Sequence, residues 1–378
     1  MLAKRLSRIE ESATIRMSHI AQQLQDEGKA VLNFSLGEPD FKTPEHICDA
    51  AQQALKLEYT HYTSSAGIDE LREEIAKKIR EENKVDVSMG NVIVTPGAKQ
   101  AIYELMLSVL DEGDEVILLD PAWVTFEAAV KLAGGNPRWV KRVEEKVTYE
   151  SLDSMASDNT KLIVINSPNN PVGYVLSEKE QREIAEFAIA HNLFVLSDEI
   201  YEKILYGRRH VSIASFDGMQ ERTVIINGFS KTYAMTGWRI GYAVAPAEIL
   251  KGMLKIQQHS VTCASSISQF AALTALKSSQ ECVQEMVNEF RKRRAVIVER
   301  LNDIGLRCVN PEGAFYAFIN TSGHGDDQEF TERLLKEVYI VVTPGSAFGV
   351  AGRDYVRLSF ATSMSNILEG MVRMERIL

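Results

Sequence analysis

Residues 161–201, KLIVINSPNNPVGYVLSEKEQREIAEFAIAHNLFVLSDEIY, contain the pattern that decides the fold. The runs Lys161 to Asn166 and Leu193 to Ser197 are mostly aliphatic, which is typical of strands that are buried on both faces. Between them, Glu178 to His191 carries apolar residues at three- and four-residue spacing, which indicates a helix. This order of strand, helix and strand predicts a βαβ unit with parallel strands.

The same alternation extends from about residue 90 to about residue 245. Further strand-like runs are Val92 to Thr95, Glu115 to Leu119, Thr223 to Asn227 and Ile240 to Ala245, and further helical patterns are Ala98 to Leu110 and Trp123 to Ala133. We therefore expect an α/β fold, in which a large domain has a mostly parallel sheet with helices on both faces.

From about Ile267 onward the pattern changes to longer helices and separate strands, which predicts a smaller α+β domain. Its helices are Gln269 to Lys277, Gln280 to Ile304 and Ser365 to Ile377, and its strands are Leu306 to Val309, Phe315 to Asn320, Ile340 to Val342 and Tyr355 to Phe360. The basic cluster Arg291 to Arg294 is interpreted as a solvated helix face. We expect an N-terminal segment of residues 1–44, with a helix from Ser18 to Glu27, that packs with the small domain. The large domain is then residues 45–280 and the small domain residues 281–378.

Composition and charge exclude several classes of protein. The chain of 378 residues carries a net charge of −10, which disfavours binding to nucleic acid or to anionic lipid. No run approaches the roughly 18 apolar residues that a membrane span requires. The four cysteines lie far apart and have no histidine at metal-ligand spacing, so we expect reduced thiols in a cytoplasmic protein without a metal site.

Polar groups follow four of the predicted strands, at the edge where open α/β sheets bind ligands. These groups lie in Thr95 to Gln100, Asn166 to Pro171, Ser197 to Tyr201, and Gly228 to Lys231 with Arg239 eight residues later. Each has an ordinary explanation by itself: a turn, a helix cap or a solvated lysine. Together they place an acid, amides, an amine, a guanidinium and a phosphate-binding helix N-terminus at one edge of one sheet.

The run from 230 to 242, SKTYAMTGWRIGY, resembles the lysine motif of the class I/II aminotransferases, which are pyridoxal-phosphate enzymes of fold type I. Further segments agree in order and spacing, and the resemblance covers nearly the whole chain. They are SLGEPDF at 35–41, residues 62–72, NSPNNPVG at 166–173, SDEIY at 197–201 and YVRLSFA at 355–361. The resemblance implies a seven-stranded, mostly parallel sheet in the large domain.

It also implies the roles of the residues that bind pyridoxal 5′-phosphate. Lys231 would hold the cofactor as an imine and then transfer a proton, which requires a lowered lysine pKa. Asp198 would pair with the pyridine nitrogen, Asn170 and Tyr201 would bind the 3′-oxygen, and Trp123 would stack on the ring. The phosphate would be bound by Gly97, Ala98, Lys99, Ser230 and Arg239. Tyr62 would reach the phosphate of a neighbouring subunit, which implies a homodimer with shared active sites.

Arg357 is an isolated guanidinium on an otherwise apolar strand, where burial without a partner would be costly. The resemblance gives it the α-carboxylate of the substrate, with help from Asn170 and Gly37; a structural ion pair to a nearby acid remains the alternative. Thr14, Ile15 and Lys99 are expected near the side-chain pocket. Aspartate is slightly favoured as the L-amino acid, aromatic and alanine-like substrates stay open, and a 2-oxo acid such as 2-oxoglutarate would accept the amino group in a ping-pong reaction.

One position departs from the family pattern, and three other functions compete. Gly228 stands where many relatives carry a serine, so one phosphate hydroxyl is expected to be missing. A carbon-sulfur β-lyase would use the same fold and lysine. A transcriptional regulator would need an attached DNA-binding domain, for which the resemblance leaves no room. A dehydrogenase would need a GxGxxG turn after its first strand, and that turn is not found.

Overall fold

A seven-stranded sheet dominates the structure, a computed structural model that describes residues 2–142 and 146–378. In chain order the strands are β1 Leu32–Asn33, β2 Val92–Thr95, β3 Glu115–Asp120, β4 Asn136–Lys141, β5 Thr160–Asn166, β6 Phe194–Asp198, β7 Thr223–Gly228, β8 Gly241–Val244, β9 Tyr316–Asn320, β10 Ile340–Val341, β11 Thr343–Pro344 and β12 Tyr355–Ser359. The sheet has the order β2-β8-β7-β6-β5-β3-β4, and β8 alone runs antiparallel to its neighbours. The predicted α/β class and the mostly parallel sheet are confirmed.

Helices cover both faces of this sheet, and others pack against the shorter sheets that the remaining strands form. They are α1 Ala13–Asp26, α2 Glu45–Lys56, α3 Asp69–Lys78, α4 Ala98–Val109, α5 Val124–Leu132, α6 Tyr149–Asp153, α7 Glu178–Ala190, α8 Ala247–Ser260, α9 Ser266–Lys277, α10 Glu281–Asp303, α11 Asp327–Val338 and α12 Met364–Glu375. Along β3, Val116 and Leu118 pack in one core cluster with α4, α5 and α8, whereas Ile117 and Leu119 pack in another with α7. The alternation follows from the two-residue period of a strand.

Several predicted elements differ from the observed ones. The edge strand β4, NPRWVK, was not among the runs read from the sequence, because alternate residues face solvent and a proline interrupts its pattern. Leu306 to Val309 is not a strand and forms only an isolated bridge from Cys308 to Ile319. The N-terminal helix begins at Ala13 rather than Ser18.

A three-stranded antiparallel sheet, β11-β12-β9, lies in the C-terminal part of the chain, and β1 pairs in parallel with β10. Met17 and Ala21 of α1 pack against Val341, so the N-terminal helix contacts this part of the structure. Nearer the N-terminus, Arg8 donates to the carbonyl of Gly135, which precedes β4. The domain limits after residues 44 and 280 stay predictions.

The basic cluster on α10 is not uniformly solvated, which corrects its interpretation as a solvated face. Arg293 is buried and donates to Asp40 at 2.6 Å and to Glu289 at 3.1 Å. Its guanidinium also lies 5.0 Å from the ring centroid of Phe41. Helical periodicity could not reveal this pair, because Asp40 is distant in the sequence.

A buried polar network lies directly behind the last residues of β6. Glu199 accepts hydrogen bonds from Asn83 at 2.7 Å and from His210 at 2.9 Å. Glu202 accepts from Asn83 at 3.0 Å and forms an ion pair with Lys78. Burial tends to raise the pKa of Glu202, but that ammonium and the neighbouring His210 hold it below its usual range. Every carboxylate of the network is thus bound by donors, as burial of charge requires.

The four cysteines are free thiols. Cys48, Cys263 and Cys282 are half-buried and Cys308 is buried, where burial raises its pKa to about 12. None of the helices in the described ranges combines the length and apolar character that crossing a bilayer requires. The cytoplasmic location stays a prediction.

Candidate active site

A cavity of about 290 Å³ opens at the carboxyl ends of β5, β6 and β7. Strand β5 ends at Asn166, its neighbour β6 ends at Asp198, and Ser230 and Lys231 follow β7. Parallel strands present their carboxyl ends at one edge of the sheet, which explains why these side chains meet. The residues that line the cavity are Thr14, Gly37, Ala98, Lys99, Trp123, Asn166, Asn170, Asp198, Ile200, Tyr201, Ser230, Lys231, Arg239, Tyr316 and Arg357.

Most of the site residues predicted from the sequence share this cavity. Three of them do not line it: Gly97, Ile15 and Tyr62. Gly97 lies next to the cavity, at the N-cap of α4. The side chain of Ile15 is 47% exposed and that of Tyr62 is 85% exposed, so neither faces the cavity of its own chain.

The N-terminus of α4 forms one corner of the cavity. Gly97 has a φ of +86°, which favours glycine, and a Cβ there would lie 2.5 Å from Nη2 of Arg239. Arg239 in turn donates to the carbonyl of Thr236 at 2.9 Å. From strand β8, Gly241 approaches so closely that its Cβ would lie 2.5 Å from the Ala98 nitrogen. Free N–H groups, a helix dipole and a guanidinium therefore converge in a corner that suits a phosphate.

Gly228 has a packing reason for lacking a side chain. A Cβ at this position would lie 2.9 Å from Cα of Gly241 and 3.1 Å from the carbonyl oxygen of Ile240. A serine therefore does not fit here without a shift of β8. Ser230, two residues later, lines the cavity.

The amine of Lys231 reaches into the middle of the cavity and donates to the carbonyl of Gly37 at 2.6 Å. Burial lowers the pKa of Lys231 to about 8, the carboxylate of Glu38 opposes this shift, and the charge of Arg239 assists it. A substantial fraction of this amine is consequently neutral at slightly alkaline pH, as a nucleophile or base requires.

The carboxylate of Asp198 is buried at the end of β6, with 3% exposure. One of its oxygens accepts from the N–H of Ile200 at 3.1 Å, and it has no ion pair within the described residues. Burial, together with the neighbouring charge of Glu199, raises the pKa of Asp198 to about 7, although the hydrogen bond from Ile200 and the charge of Lys231 oppose the shift. A cationic nitrogen next to this carboxylate would relieve the cost of burying it.

Arg357 is 2% exposed, on strand β12. It donates to Oδ1 of Asn170 at 3.0 Å and to the carbonyl of Ser35 at 2.6 Å, and its Nε has no partner in the described part of the chain. No carboxylate of the described residues pairs with it, so the structural ion pair considered as an alternative is not found. A buried guanidinium with an unused donor suits a small carboxylate ligand.

Sequence reasoning gave no site role to three residues that line the cavity: Asn166 and Ile200, which lie in segments that it placed at this edge, and Tyr316. Asn166 fixes local geometry, because its side chain accepts from the N–H of Asn170 at 2.8 Å and donates to the carbonyl of Asp198 at 3.1 Å. Tyr316 begins β9 and enters the cavity from the three-stranded sheet. A signal for it was its position in a predicted strand that carries aromatic residues, but no local pattern shows that two sheets meet there.

The polar and aromatic groups of the cavity match the chemical groups of pyridoxal phosphate one by one. Lys231 offers an amine of lowered pKa, and Asp198 offers a buried carboxylate without a cationic partner. The α4 corner offers N–H groups beside Arg239 for a phosphate dianion. The exposed part of Trp123 faces the same cavity as a possible stacking surface.

Comparisons with known proteins agree with this chemistry. Residues 29–373 match the family model described as aminotransferase class I and II. An aspartate aminotransferase of Pyrococcus abyssi is 42% identical, over 100% of this chain and 98% of its own. An aromatic-amino-acid aminotransferase of Thermococcus litoralis is 41% identical over the same shares. The solved structure of Thermus thermophilus aspartate aminotransferase with maleate has a TM-score of 0.97 and 39% identity over the whole of both chains.

Gly241→Ala should weaken the binding of pyridoxal phosphate by about tenfold or more, because the new Cβ displaces the N-terminus of α4. The affinity is measured by titrating the cofactor-free protein and following tryptophan fluorescence. Gly237→Ala is the matched control, since its Cβ meets nothing within 4 Å, and it should stay within about twofold of the wild type. Equal affinities for both variants would contradict this account of the α4 corner.

Proposed function

The chain belongs to the class I and II aminotransferases, and we propose that it moves the amino group of an L-amino acid to a 2-oxo acid with pyridoxal phosphate held at Lys231. The observation that carries the proposal is the convergence of Lys231, Asp198 and Arg357 in one cavity. The cofactor supplies an aldehyde that condenses with amines and a ring that withdraws electrons. The reaction proceeds in two stages, because the amino acid leaves as a 2-oxo acid before the second oxo acid binds.

Each of these residues has a separate task in the proposal. Arg357 and the amide of Asn170 bind the α-carboxylate and so orient the α-carbon towards the amine of Lys231. Nζ of Lys231 accepts the proton of that α-carbon, for which its lowered pKa is suited. Asp198 stays ionised once a cationic ring nitrogen lies beside it, and it thereby keeps that nitrogen protonated.

Borohydride should fix the cofactor covalently to the wild type but not to Lys231→Ala, because the variant lacks the amine that bonds to it. Lys99→Met is the matched control, as it removes another lysine of the same cavity and should leave the fixation intact. Mass spectrometry of the reduced proteins measures the result. A fixed cofactor in Lys231→Ala would refute the proposed anchor.

The type of reaction is tested separately with the wild type and aspartate in the absence of any oxo acid. An aminotransferase releases one equivalent of oxaloacetate per active site and no ammonia. Aspartate has no sulfur leaving group, so the β-lyase alternative is tested with L-cystathionine, and continued release of a thiol, pyruvate and ammonia from it would favour that alternative.

We further propose that the preferred substrates are dicarboxylic. Four cations line the cavity, and three have tasks already: Lys231 anchors, Arg239 faces the phosphate corner and Arg357 binds the α-carboxylate. The fourth, Lys99, is exposed, with its ammonium 5.0 Å from the ring centroid of Trp123, and partial desolvation and then the charge of Arg239 lower its pKa. A distal carboxylate would relieve both effects. Support also comes from the Thermus relative, whose structure contains maleate, itself a dicarboxylate.

Lys99→Met should raise the KM for aspartate and for 2-oxoglutarate by about tenfold or more, since a charged hydrogen bond is lost. The KM for alanine or phenylalanine should change much less, because these substrates carry no second carboxylate. Steady-state kinetics with all four substrates measures the difference. Lys77→Met, on the exposed surface of α3, is the control. Parallel changes for charged and uncharged substrates would show that Lys99 does not recognise a distal carboxylate.

We also propose that two copies form a dimer with shared active sites. Tyr62 is 85% exposed and lies outside the cavity of its own chain. Near it in sequence, the side chains of Leu55 and Leu57 are 51% and 58% exposed, and Tyr59 stacks on Phe270. Such an apolar segment is typical of a protein interface, and a second copy would bring its Tyr62 hydroxyl to the phosphate corner.

Co-expressing Tyr62→Phe and Lys231→Ala subunits should restore activity at limiting cofactor to above that of either variant alone. A mixed dimer has one site that combines both defects and one site that has neither. The assay uses separately tagged subunits, so that mixed dimers can be purified. The two homodimers, purified and mixed without exchange of subunits, are the control. If mixed dimers show no gain, Tyr62 does not act on its partner's site.

A further inference from the structure

Tyr316 is a buried tyrosine of the cavity to which the proposed chemistry gives no task. It is the first residue of β9, only 1% exposed, and it lines the cavity beside Tyr201 and Arg357. Its ring packs edge-on against the ring of Tyr201, with centroids 5.8 Å apart. A phenol at this depth needs a partner for its hydroxyl.

The hydroxyl of Tyr316 has that partner in Tyr201, at 2.7 Å between the two oxygens. The Arg357 guanidinium lies 4.5 Å from the centroid of the Tyr316 ring, so the face of the ring supports the arginine. A Cβ built on Gly37 would lie 2.7 Å from the same hydroxyl, so no side chain fits between them. Tyr316 therefore lies against Gly37, Arg357 and Tyr201 at the same time.

The direction of the bond between the two phenols follows from counting protons. Burial raises the pKa of both Tyr201 and Tyr316, so each keeps its single proton at neutral pH. If Tyr201 donates its proton to the 3′-oxygen of the cofactor, it has none left for Tyr316. Its oxygen must then accept the proton of Tyr316.

We propose that Tyr316 is a positioning residue, which donates a hydrogen bond to Tyr201 and thereby directs the Tyr201 proton onto the 3′-oxygen of the cofactor. This inference rests on the proposed function, because it requires bound pyridoxal phosphate. A phenol that accepts a hydrogen bond becomes a stronger donor, since chains of hydrogen bonds polarise one another. The contact also links the three-stranded sheet, which carries Tyr316, to the segment after β6, which carries Tyr201.

Tyr316→Phe tests the proposal, because it keeps the ring under Arg357 and removes only the hydroxyl. The readout is the pH midpoint of the visible absorbance of the bound cofactor. A weaker donor at Tyr201 leaves more negative charge on the 3′-oxygen. That charge holds the proton of the imine nitrogen, formed with Lys231, more tightly. The midpoint should therefore move upward, by about half a pH unit. Tyr201→Phe should move it further in the same direction.

Tyr206→Phe is the matched control, since it also removes one buried hydroxyl, which donates to the carbonyl of Ala314 and does not line the cavity. Its midpoint should equal that of the wild type. In a Tyr201→Phe background, Tyr316→Phe should add no further shift, because its route to the cofactor is gone. An equal shift in that background, or no shift in the wild-type background, would overturn the proposal. Thermal unfolding of the cofactor-free variants verifies that all are folded.

The failure of the proposed function would look different. In that case the wild type itself would show no visible absorbance after incubation with pyridoxal phosphate. A wild type that binds the cofactor, with a midpoint indifferent to Tyr316, would contradict the positioning role alone.

Discussion

Three charged groups of the cavity, Asp198, Lys231 and Arg357, are shielded from solvent without an ion-pair partner among the described residues, and this condition determines their properties. Asp198 has a pKa raised to about 7 and Lys231 one lowered to about 8, and burial is the largest cause in both. Arg357 is also buried, with 2% exposure, and keeps an unused donor. Each of these groups therefore lacks a partner of opposite charge. A cationic ring nitrogen would pair with Asp198, an aldehyde would bond to Lys231 and a carboxylate would pair with Arg357.

The surroundings of Asp198 contrast with this condition. One residue further, Glu199 is held by Asn83 and His210, and Glu202 is paired with Lys78. Because both carboxylates have their partners, they hold the segment that carries Asp198 and Tyr201 in place. The cavity edge is thus supported by groups whose charges are already paired. Within five consecutive residues the chain therefore carries both paired carboxylates, Glu199 and Glu202, and the unpaired carboxylate of Asp198, to which the proposal gives a chemical role.

The sequence predicted the part of the site that depends on strand ends. Asp198, Asn170 and Lys231 follow buried strands, and parallel strands bring such residues to one edge whatever the details of packing. Tyr316 could not be found in this way, because its contact with Tyr201 depends on how two sheets meet. The edge strand β4 was missed for another reason: half of its residues face solvent, so its apolar pattern is too weak.

The close approach of Gly241 to the first turn of α4 has a consequence for the proposed substrate preference. The corner that fits a phosphate is placed by backbone against backbone, at a spacing that leaves no room for a Cβ. Lys99, which follows Ala98 in the same turn, lines the cavity with a side chain that takes no part in this backbone contact. Under the proposal that Lys99 recognises a distal carboxylate, substrate preference could be engineered at this helix without moving the phosphate corner.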